Sequence, residues 1–467
     1  MGTVHAKDTG GSKYSNIETT TDPCGPNEPG KRVDLSGVEA RVDKINIEGL
    51  QRTKNDIVVE TVEELFHSQD FQEVIVNAHK VRGKLEKLGC FQNIGIFIDT
   101  SSGAEATLNG LEVTFFVKEL KRMIGGANTM VGNNEGSLLV SLRAPNMFGR
   151  GEKLQAEYSY GSRRTNNLSL SFIKPLRTKY DALFSTSIFQ HGSDWPWSGY
   201  KLVERGILFD LGFNTTCSMR HNLQYEAAWR ELGASSRNST FNVREESGHK
   251  VKSAIRHILT FDSRDAQIFP SRGSLFRFNT EFAGVGGDIN FLKNDFFWQY
   301  NIPLFYDVVI QGTLQGGHLK PLSDDNTGLL PDKMYIGGPM SVRGFRTRGI
   351  GPHSGDDATG SNMAWGAGLH LYTPLPFRPG KGGFGDLFRL HLFTNLGQCK
   401  EIQFNNGFSE DLKAMIDGYR MSYGLGIALR LGQLARVEFN YVIPNIVREG
   451  DDIQETRFQF GVGLQFL

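Results

Sequence analysis

Two pairs of adjacent carboxylates, Asp324-Asp325 and Asp356-Asp357, are the groups of this chain that could do acid/base work or hold a cation, and His370 and His391 could carry a proton. None of them comes with the neighbours that such chemistry needs. The chain contains no Gly-x-Ser-x-Gly and no His-Glu-x-x-His, and its Gly-x-Gly pairs at 383, 424 and 461 lack the third glycine of a phosphate-binding turn. The carboxylate pairs read as solvated loop residues and the two histidines as lining or packing residues. Cys24, Cys90, Cys217 and Cys399 are too scattered for a ligand set or a disulfide framework and read as four independent free thiols. No catalytic centre, metal or cofactor is therefore expected. One short stretch has a different chemistry. In Val342-Arg343-Gly344-Phe345, which follows Gly337-Gly338-Pro339, a guanidinium sits among small and aromatic neighbours. A planar fork of five donors suits hydrogen bonding across a polar lumen.

The elements that must position this arginine are strands. The stretch lies in a connection, 319–360, that is far longer than any other and shows no strand pattern of its own; structureless loops of that length are uncommon unless functional or disordered. On either side of it, from Arg122 to Leu467, the chain runs in alternating segments. Examples are Leu154, Ala156, Tyr158 and Tyr160 against Lys153, Gln155, Glu157 and Ser159, or Val437, Phe439 and Tyr441 against Arg436, Glu438 and Asn440. About sixteen such segments are expected, an even number as in single-chain outer-membrane barrels. Charged residues in mid-strand opposite large aromatics fit a wet lumen inside and lipid outside. The absence of a repeat of about 40–50 residues speaks against a propeller. Trp195, Trp197, Tyr200, Trp298, Tyr300 and Tyr372 near strand ends suggest an interfacial aromatic belt. The final segment, Arg457 to Leu467, is expected to be one strand running to the carboxylate, with Phe458, Phe460, Val462, Leu464 and Phe466 on one face.

Ahead of the strands, residues 1–40 are polar and rich in Gly, Ser, Thr and Pro, and are expected to be a disordered tail without a secretory signal. Residues 41–120 then read as strand, helix, helix, strand, strand, a small α+β domain. In its second helix Phe71, Val74, Ile75, Ala78, Val81, Leu85 and Leu88 form one face, closed by Gly89. Residues 121–467 form the barrel. The 467 residues carry a formal net charge of zero, which offers no pull toward nucleic acid, and 55 Gly with 33 Phe favour strands and tight turns over helical bundles. No apolar run of 18 residues is present, so membrane helices are excluded but membrane strands are not.

These residues resemble a known superfamily. The 41–120 unit is similar to a polypeptide-transport-associated domain, and Val342-Arg343-Gly344-Phe345 looks like the arginine-glycine-aromatic motif in the long loop of barrel-assembly proteins. The facing strand motif of those proteins, aromatic-x-Asp-x-Gly, is matched by Phe393, Asn395 and Gly397, with Asn where the family has Asp. That departure implies a hydrogen bond to Arg343 in place of an ion pair. Phe261-Asp262-Ser263-Arg264-Asp265 with Pro270 and Gly273 is similar to another turn of the family. The stretches Thr129–Gly136 and Leu369–Gly380 resemble the mitochondrial branch, the channel subunits of the sorting and assembly machinery. Gln459, Gly461, Leu464 and Phe466 in the last segment fit the sorting signal of mitochondrial barrel proteins.

The resemblance implies a mainly β protein, a 16-stranded antiparallel transmembrane β-barrel preceded by one polypeptide-transport-associated domain. It implies residence in the mitochondrial outer membrane, with that domain in the intermembrane space. It implies a non-enzymatic function, the folding and insertion of β-barrel precursors at a lateral gate. There the precursor's terminal signal strand would pair with the first barrel strand, about 122–131, which holds Gly125, Gly126, Met130 and Val131; missing side chains at both ends of the barrel agree with a weak seam. Implied partners are β-barrel precursors, metaxin-type accessory subunits, an inner-membrane cristae-organising complex and the lipid bilayer, without nucleic acid. A passive pore would share the barrel but leave the N-terminal domain and the long loop without a task. An export barrel of the same superfamily would need a secretory or transit signal, and a soluble all-β enzyme would need a catalytic motif.

Overall fold

The computed structural model describes residues 3–7, 37–102, 106–132, 135–162, 165–176, 180–323, 327–375, 384–403, 408–432 and 435–467. It divides into two compact units, Met1–Gly125 with Leu142–Gln155 and Phe172–Pro175, and Gly126–Ser141 with Ala156–Ser171 and Leu176–Leu467.

The first unit is built on a four-stranded sheet in the order β1-β2-β4-β3, formed by β1 (Thr3–Lys7), β2 (Arg41–Glu48), β3 (Phe91–Thr100) and β4 (Gly110–Glu119). Helices α1 (Asn55–Val62) and α2 (Phe71–Leu88) lie between β2 and β3 in sequence. In α2 the apolar spacing buries Val74, Ala78, Val81 and Leu85, and Gly89 takes the left-handed conformation (φ 63°) that ends the helix. These side chains pack with Ile45, Ile47, Val58, Leu65, Val113 and Phe115 in one core. The sequence reading of an unstructured tail through residue 40 is corrected at Thr3–Lys7, which pairs in parallel with Lys44–Glu48. An open sheet edge recruits a strand through main-chain groups alone, and composition does not register that. Residues 8–36 lie outside the described residues.

The second architecture is a sixteen-stranded sheet. Its strands are β5 (Ile124–Gly132), β6 (Glu135–Pro145), β7 (Lys153–Gly161), β8 (Asn166–Pro175), β9 (Leu183–Trp195), β10 (Tyr200–Thr216), β11 (Met219–Ala234), β12 (Gly248–Asp262), β13 (Gly273–Ala283), β14 (Phe291–Pro303) and β15 (Val309–Pro321). A small hairpin, β16 (His353–Ser354) and β17 (Asp357–Ala358), belongs to the long connection, after which the sheet resumes with β18 (Met363–Thr373), β19 (Phe388–Lys400), β20 (Arg420–Leu431), β21 (Ala435–Ile446) and β22 (Phe458–Gly463). Helix α3 (Phe241–Glu246) joins β11 to β12 and α4 (Phe408–Ile416) joins β19 to β20. Each strand neighbours the next in sequence, β15 pairing with β18, so the sheet is an up-and-down meander from β5 to β22.

The two faces of this sheet are inverted relative to a soluble sandwich. On β14, Trp298, Tyr300 and Ile302 are exposed while Gln299 and Asn301 between them are buried. On β21, Phe439 is exposed while Glu438 and Asn440 are buried. The polar face is covered because the long connection between β15 and β18 folds back along it. That connection bonds to strands as far apart as β10, through Arg348 to Tyr200 and to Ser198 in the turn before it, and β21, through Arg343 to Glu438. A sheet that meets one loop from so many directions is wrapped around it, which makes the loop the filling of a lumen.

Two sequence expectations change here. Of the six aromatics assigned to a belt, Trp298 and Tyr300 are on the outer face, but Tyr200 and Tyr372 are buried inside. Tyr200 donates no belt contact; its hydroxyl accepts from Arg348, and Tyr372 stacks on His370 and His391. Trp195 lies under the same Arg348 guanidinium at 4.0 Å. Near strand ends, an aromatic that can stack on a buried cation or imidazole serves the lumen equally well. The last segment is also not one strand to residue 467: β22 ends at Gly463, Leu464 is exposed, and Phe466 and Leu467 are buried inside.

Candidate functional site

The site is the tip of the long loop. Glycines 337, 338 and 344 all take positive φ (110°, 117° and 88°), which turns the chain sharply enough to present Arg343 sideways. Gly338 N–H donates to Val342 O and Ser341 N–H to Gly338 O, closing the turn. The loop packs through Ile336, Val342, Phe345 and Ile350 in a cluster that also holds Ala364, Cys399 and Leu467. Close approach to the wall is possible because Gly397 has no side chain; a Cβ there would lie 2.6 Å from Val342 Cγ2.

Arg343 is fully buried. Its Nε and Nη2 donate to Glu438 Oε2 at 3.1 and 2.8 Å, and its Nη1 donates to Asn395 Oδ1 and to Leu467 O, each at 3.0 Å. The guanidinium also lies 4.9 Å from the Phe393 ring and 5.6 Å from the Phe466 ring. Every residue of the facing strand motif therefore touches the loop motif: Phe393 by its ring, Asn395 by its amide and Gly397 by its absence of side chain. Asn395 does make the expected hydrogen bond. The counter-charge, however, comes from Glu438 on β21, a residue the sequence reading placed on a polar strand face without a partner. Asn440 Nδ2 also donates to Glu438 Oε2 at 3.0 Å, and Arg436 Nη2 stands 2.8 Å from Oε1 without hydrogen-bonding alignment. Burial of a charged pair costs several kcal/mol per ion, so its retention here needs this density of donors and acceptors. The missing clue was positional: Glu438 is the inward residue of the penultimate strand, and only register places it opposite the loop tip.

The loop is stitched to the segment around β22 as well. Gly344 N–H donates to Gln459 Oε1 and Gln459 Nε2 donates to Phe345 O, both at 3.0 Å. Gln454 N–H donates to Gly344 O at 3.1 Å, and Arg346 N–H to Asp452 O at 3.0 Å. Beyond Gly463, Leu467 N–H donates to Met340 O at 3.0 Å, and His370 Nε2 lies 2.8 Å from Leu467 O. This is why the last strand stops early. Gly461 and Gly463 let Pro339 and Met340 press on its inner side, and the chain after them finds loop partners in place of β21. Of the expected signal residues, Gln459 and Phe466 thus face the loop tip, Gly461 packs under Pro339, and Leu464 is on the exposed side.

At its other end the loop is held by a second buried network. Asp332 accepts from Arg230 Nη1 at 2.5 Å and from Lys252 Nζ at 3.0 Å. Glu204 and Glu281 complete the charges around those two cations. Asp332 lies in the loop and its partners on β11 and β12, several strands away from the Arg343 contacts. Neither Asp332 nor its partners was singled out in the sequence.

In β5, a Cβ on Gly125 would meet nothing within 4 Å and one on Gly126 would meet only Ser141 Oγ at 3.3 Å; Gly126 through Thr129 are all exposed. Met130 and Val131 lie in β5, but their side chains are outside the described residues. Asp324-Asp325 also fall outside the described residues. Asp356 is exposed, but Asp357 is buried and accepts from Thr240 N–H at 2.8 Å, so it is a structural acceptor where a solvated residue was expected. His370 and His391 stack at 5.9 Å inside the lumen, and His391 Nε2 lies 2.7 Å from Asn440 Oδ1. Cys217 is exposed and Cys90 and Cys399 are buried, all three as free thiols; Cys24 is outside the described residues.

A sixteen-stranded up-and-down sheet, polar within and apolar without, with an arginine-bearing loop locked against its last strands, defines a loop-filled membrane-type barrel. The Omp85 superfamily domain matches residues 146–466. Sorting and assembly machinery component 50 homolog B of Xenopus laevis is 44% identical over 442 residues, 94% of each chain, and the corresponding homologs of Mus musculus and Homo sapiens are 42% and 41% identical over the full length of both chains. Among solved structures, BamA from Haemophilus ducreyi lacking POTRA domains 1-3 superposes with a TM-score of 0.72 at 19% identity, covering 91% of this chain and 84% of that one. The chain belongs to the sorting and assembly machinery component 50 family of the Omp85 superfamily.

Proposed function

We propose that this protein is the core subunit of the mitochondrial outer-membrane machinery that folds and inserts β-barrel precursors, and that a precursor's terminal signal strand pairs with β5 at a lateral gate. In lipid no water satisfies a bare strand edge, and each unpaired main-chain group costs several kcal/mol. An incoming strand therefore needs a partner edge before it can leave the aqueous phase, and a barrel with a weakly joined seam can lend one. The observation that carries this reading is the state of the two end strands. β22 pairs with β21 over Phe458–Gly463 alone, and its continuation is diverted inward to the loop tip. At the other end of the sheet Gly126–Thr129 are exposed, and among the described residues no pairing joins β5 to β22. The names of the relatives, sorting and assembly machinery components, point the same way.

On this reading the N-terminal domain lies in the intermembrane space, where precursors arrive. Metaxin-type subunits and an inner-membrane cristae-organising complex are its expected neighbours. The test is site-specific disulfide formation during import. Single cysteines placed at 126–129, in a Cys24→Ser, Cys217→Ser background that leaves only the buried Cys90 and Cys399, are paired with cysteines along the final strand of a radiolabelled precursor. Register-specific crosslinks to β5 are expected while the precursor is membrane-bound and incompletely assembled. Crosslinks confined to other strands, or unchanged insertion of other barrels after depletion of this chain, would overturn the proposal.

A further inference from the structure

The outer wall carries a cleft to which the proposed function assigns no role. Helix α4 lies against it, across strands β13, β14, β15 and β18. Met415 O accepts from Trp365 Nε1 at 2.8 Å, which pins the end of the helix to the wall. Leu412, Met415 and Ile416, spaced as one helix face, and the wall residues Phe278, Phe296, Leu314 and Trp365 line a cleft of about 570 Å³ between them. Gly316 keeps the floor of the cleft low, and a Cβ there would crowd Phe296 at 3.1 Å.

The ladder register orders the wall into levels. Phe278, Phe296, Gly316 and Trp365 are cross-strand neighbours and form one row. Two residues further toward the loop-bearing end, about 7 Å along the strands, the next outward row is Thr280, Asn294, His318 and Met363. One row beyond that stands Lys320, which is exposed, beside Leu292 and Phe282, and in the polar row itself the exposed Lys400 pairs with Met363. In the opposite direction the rows turn to Trp298 and Leu314, then Tyr300 and Leu369. The wall therefore passes from an edge that carries a cation, together with Phe282 and Leu292, through hydrogen-bonding groups to mixed aromatic and aliphatic rows. That is the order in which a bilayer passes from headgroup phosphate to hydrocarbon.

We infer that the cleft under α4 binds one phospholipid, its acyl chain between Leu412, Met415 and Leu314 and its phosphodiester at the level of Asn294, His318 and Lys320. The inference rests on the reading of the outer wall as bilayer-facing. Hydrocarbon is the solvent of that wall, the cleft is large enough for one chain end, and the exposed Lys320 and Lys400 lie at the level where a phosphate would stand.

The test uses the full-length protein in its native membrane. Leu412→p-benzoylphenylalanine is photoactivated there, and Leu392→p-benzoylphenylalanine serves as a control because Leu392 is exposed on the outer wall of β19. A phospholipid adduct is expected at both positions. After detergent extraction and washing, phospholipid is expected to remain associated with the wild-type chain. Leu314→Trp fills the cleft floor and should reduce that retention by about tenfold or more, the effect of excluding roughly two methylene groups. Lys320→Glu should reduce it as well, without changing the thermal mobility shift of the folded barrel in gels. Protein adducts at Leu412, or equal retention by folded Leu314→Trp, would overturn the lipid site while leaving the assembly reading intact. Absence of lipid adducts at Leu392 too would overturn the bilayer-facing wall and the inference with it.

Discussion

Glu438→Gln isolates the charge that holds the loop tip. The wild-type side chain is fully buried, as is Arg343, and it is the only side-chain carboxylate bonded to that guanidinium among the described residues. Glutamine keeps the shape and one acceptor oxygen but leaves Arg343 and Arg436 in the lumen without a side-chain counter-charge. Breaking a buried pair by removing one partner typically costs about 3–5 kcal/mol. Arg343 would keep Asn395 Oδ1, Leu467 O and two aromatic rings, so the lower end, about 3 kcal/mol, is the expected magnitude. At about 1.4 kcal/mol per decade, that shifts the equilibrium between docked and detached loop by roughly a hundredfold.

The assay follows from Val342, whose side chain is fully buried beside Gly397. In a Cys24→Ser, Cys217→Ser, Val342→Cys background, the maleimide labelling rate reports the detached population, because the remaining Cys90 and Cys399 are buried. Adding Glu438→Gln should raise that rate about a hundredfold. Adding Asn395→Asp to the same chain should then reverse a large part of the increase. The new carboxylate would lie where Asn395 Oδ1 already stands, 3.0 Å from Arg343 Nη1. The reversal should be incomplete, since Arg436 does not bond to Asn395. A labelling rate unchanged by Glu438→Gln, or a rate that Asn395→Asp fails to lower, would refute the assignment of Glu438 as counter-ion.

Other perturbations probe the rest of the loop and the N-terminal domain. Asp332→Asn removes the charge shared by Arg230 and Lys252, and should free the loop's other end by a comparable amount, about 3 kcal/mol, read as protease cleavage after Lys333. Gly397→Val places a branched side chain against buried Val342 and should displace the loop and slow precursor assembly, with overpacking costs of about 1–3 kcal/mol; normal assembly by a folded variant would exclude the close approach as a requirement. In the N-terminal domain, burial pushes the Glu119 pKa up, but the Thr53 hydroxyl and the main-chain N–H groups of Thr53, Gln51 and Arg52 outweigh it and hold it below 4.5. Its contribution to stability is therefore complete above the unfolded value and is lost as pH falls through the folded one. Protease resistance of this domain should decline as pH drops below about 4.5. Glu119→Gln should show a flatter pH dependence, and an unaltered one would sink the assignment.

Much of this protein was legible from residue order, for reasons specific to strands. Period-two alternation fixes which side chains share a face before any partner is known, so the inward set Arg436, Glu438 and Asn440 and the outward set Val437, Phe439 and Tyr441 could be separated from sequence. The helix pattern ending at Gly89 was readable because helix contacts are local. What alternation does not supply is relative register across a closed wall. The link from Arg343 to Glu438 spans 95 residues and depends on where β21 sits against a loop emerging from β15. The same limit explains Asp332, whose cations lie 102 and 80 residues earlier. The last strand misled for a different reason. Its alternation continues through Phe466, but Gly461 and Gly463 permit loop contacts that compete with pairing, and such a competition has no signature in periodicity.

The two loop networks differ in what they grip. Asp332 holds to cations of β11 and β12, in the middle of the sheet, where both neighbours of each strand are paired over long ladders. Arg343 holds to β19, β21 and the residues after β22, so its acceptors include the segment that continues the last strand, whose ladder is cut to six residues. A loop fixed at one end to rigid wall and at the other to the weakest strand can resist inward or outward movement of that strand only through the second grip. The Leu467 oxygen that accepts from Arg343 also lies against His370, and Leu467 N–H donates to Met340 O, so the segment after β22 is bonded to the loop tip from both sides. Displacing that segment breaks at least three hydrogen bonds together with the Phe466 ring contact, while the β21–β22 ladder itself can stay intact. On the proposed function, a precursor strand entering at β5 would meet a last strand already partly withdrawn, and Arg343 would decide how far.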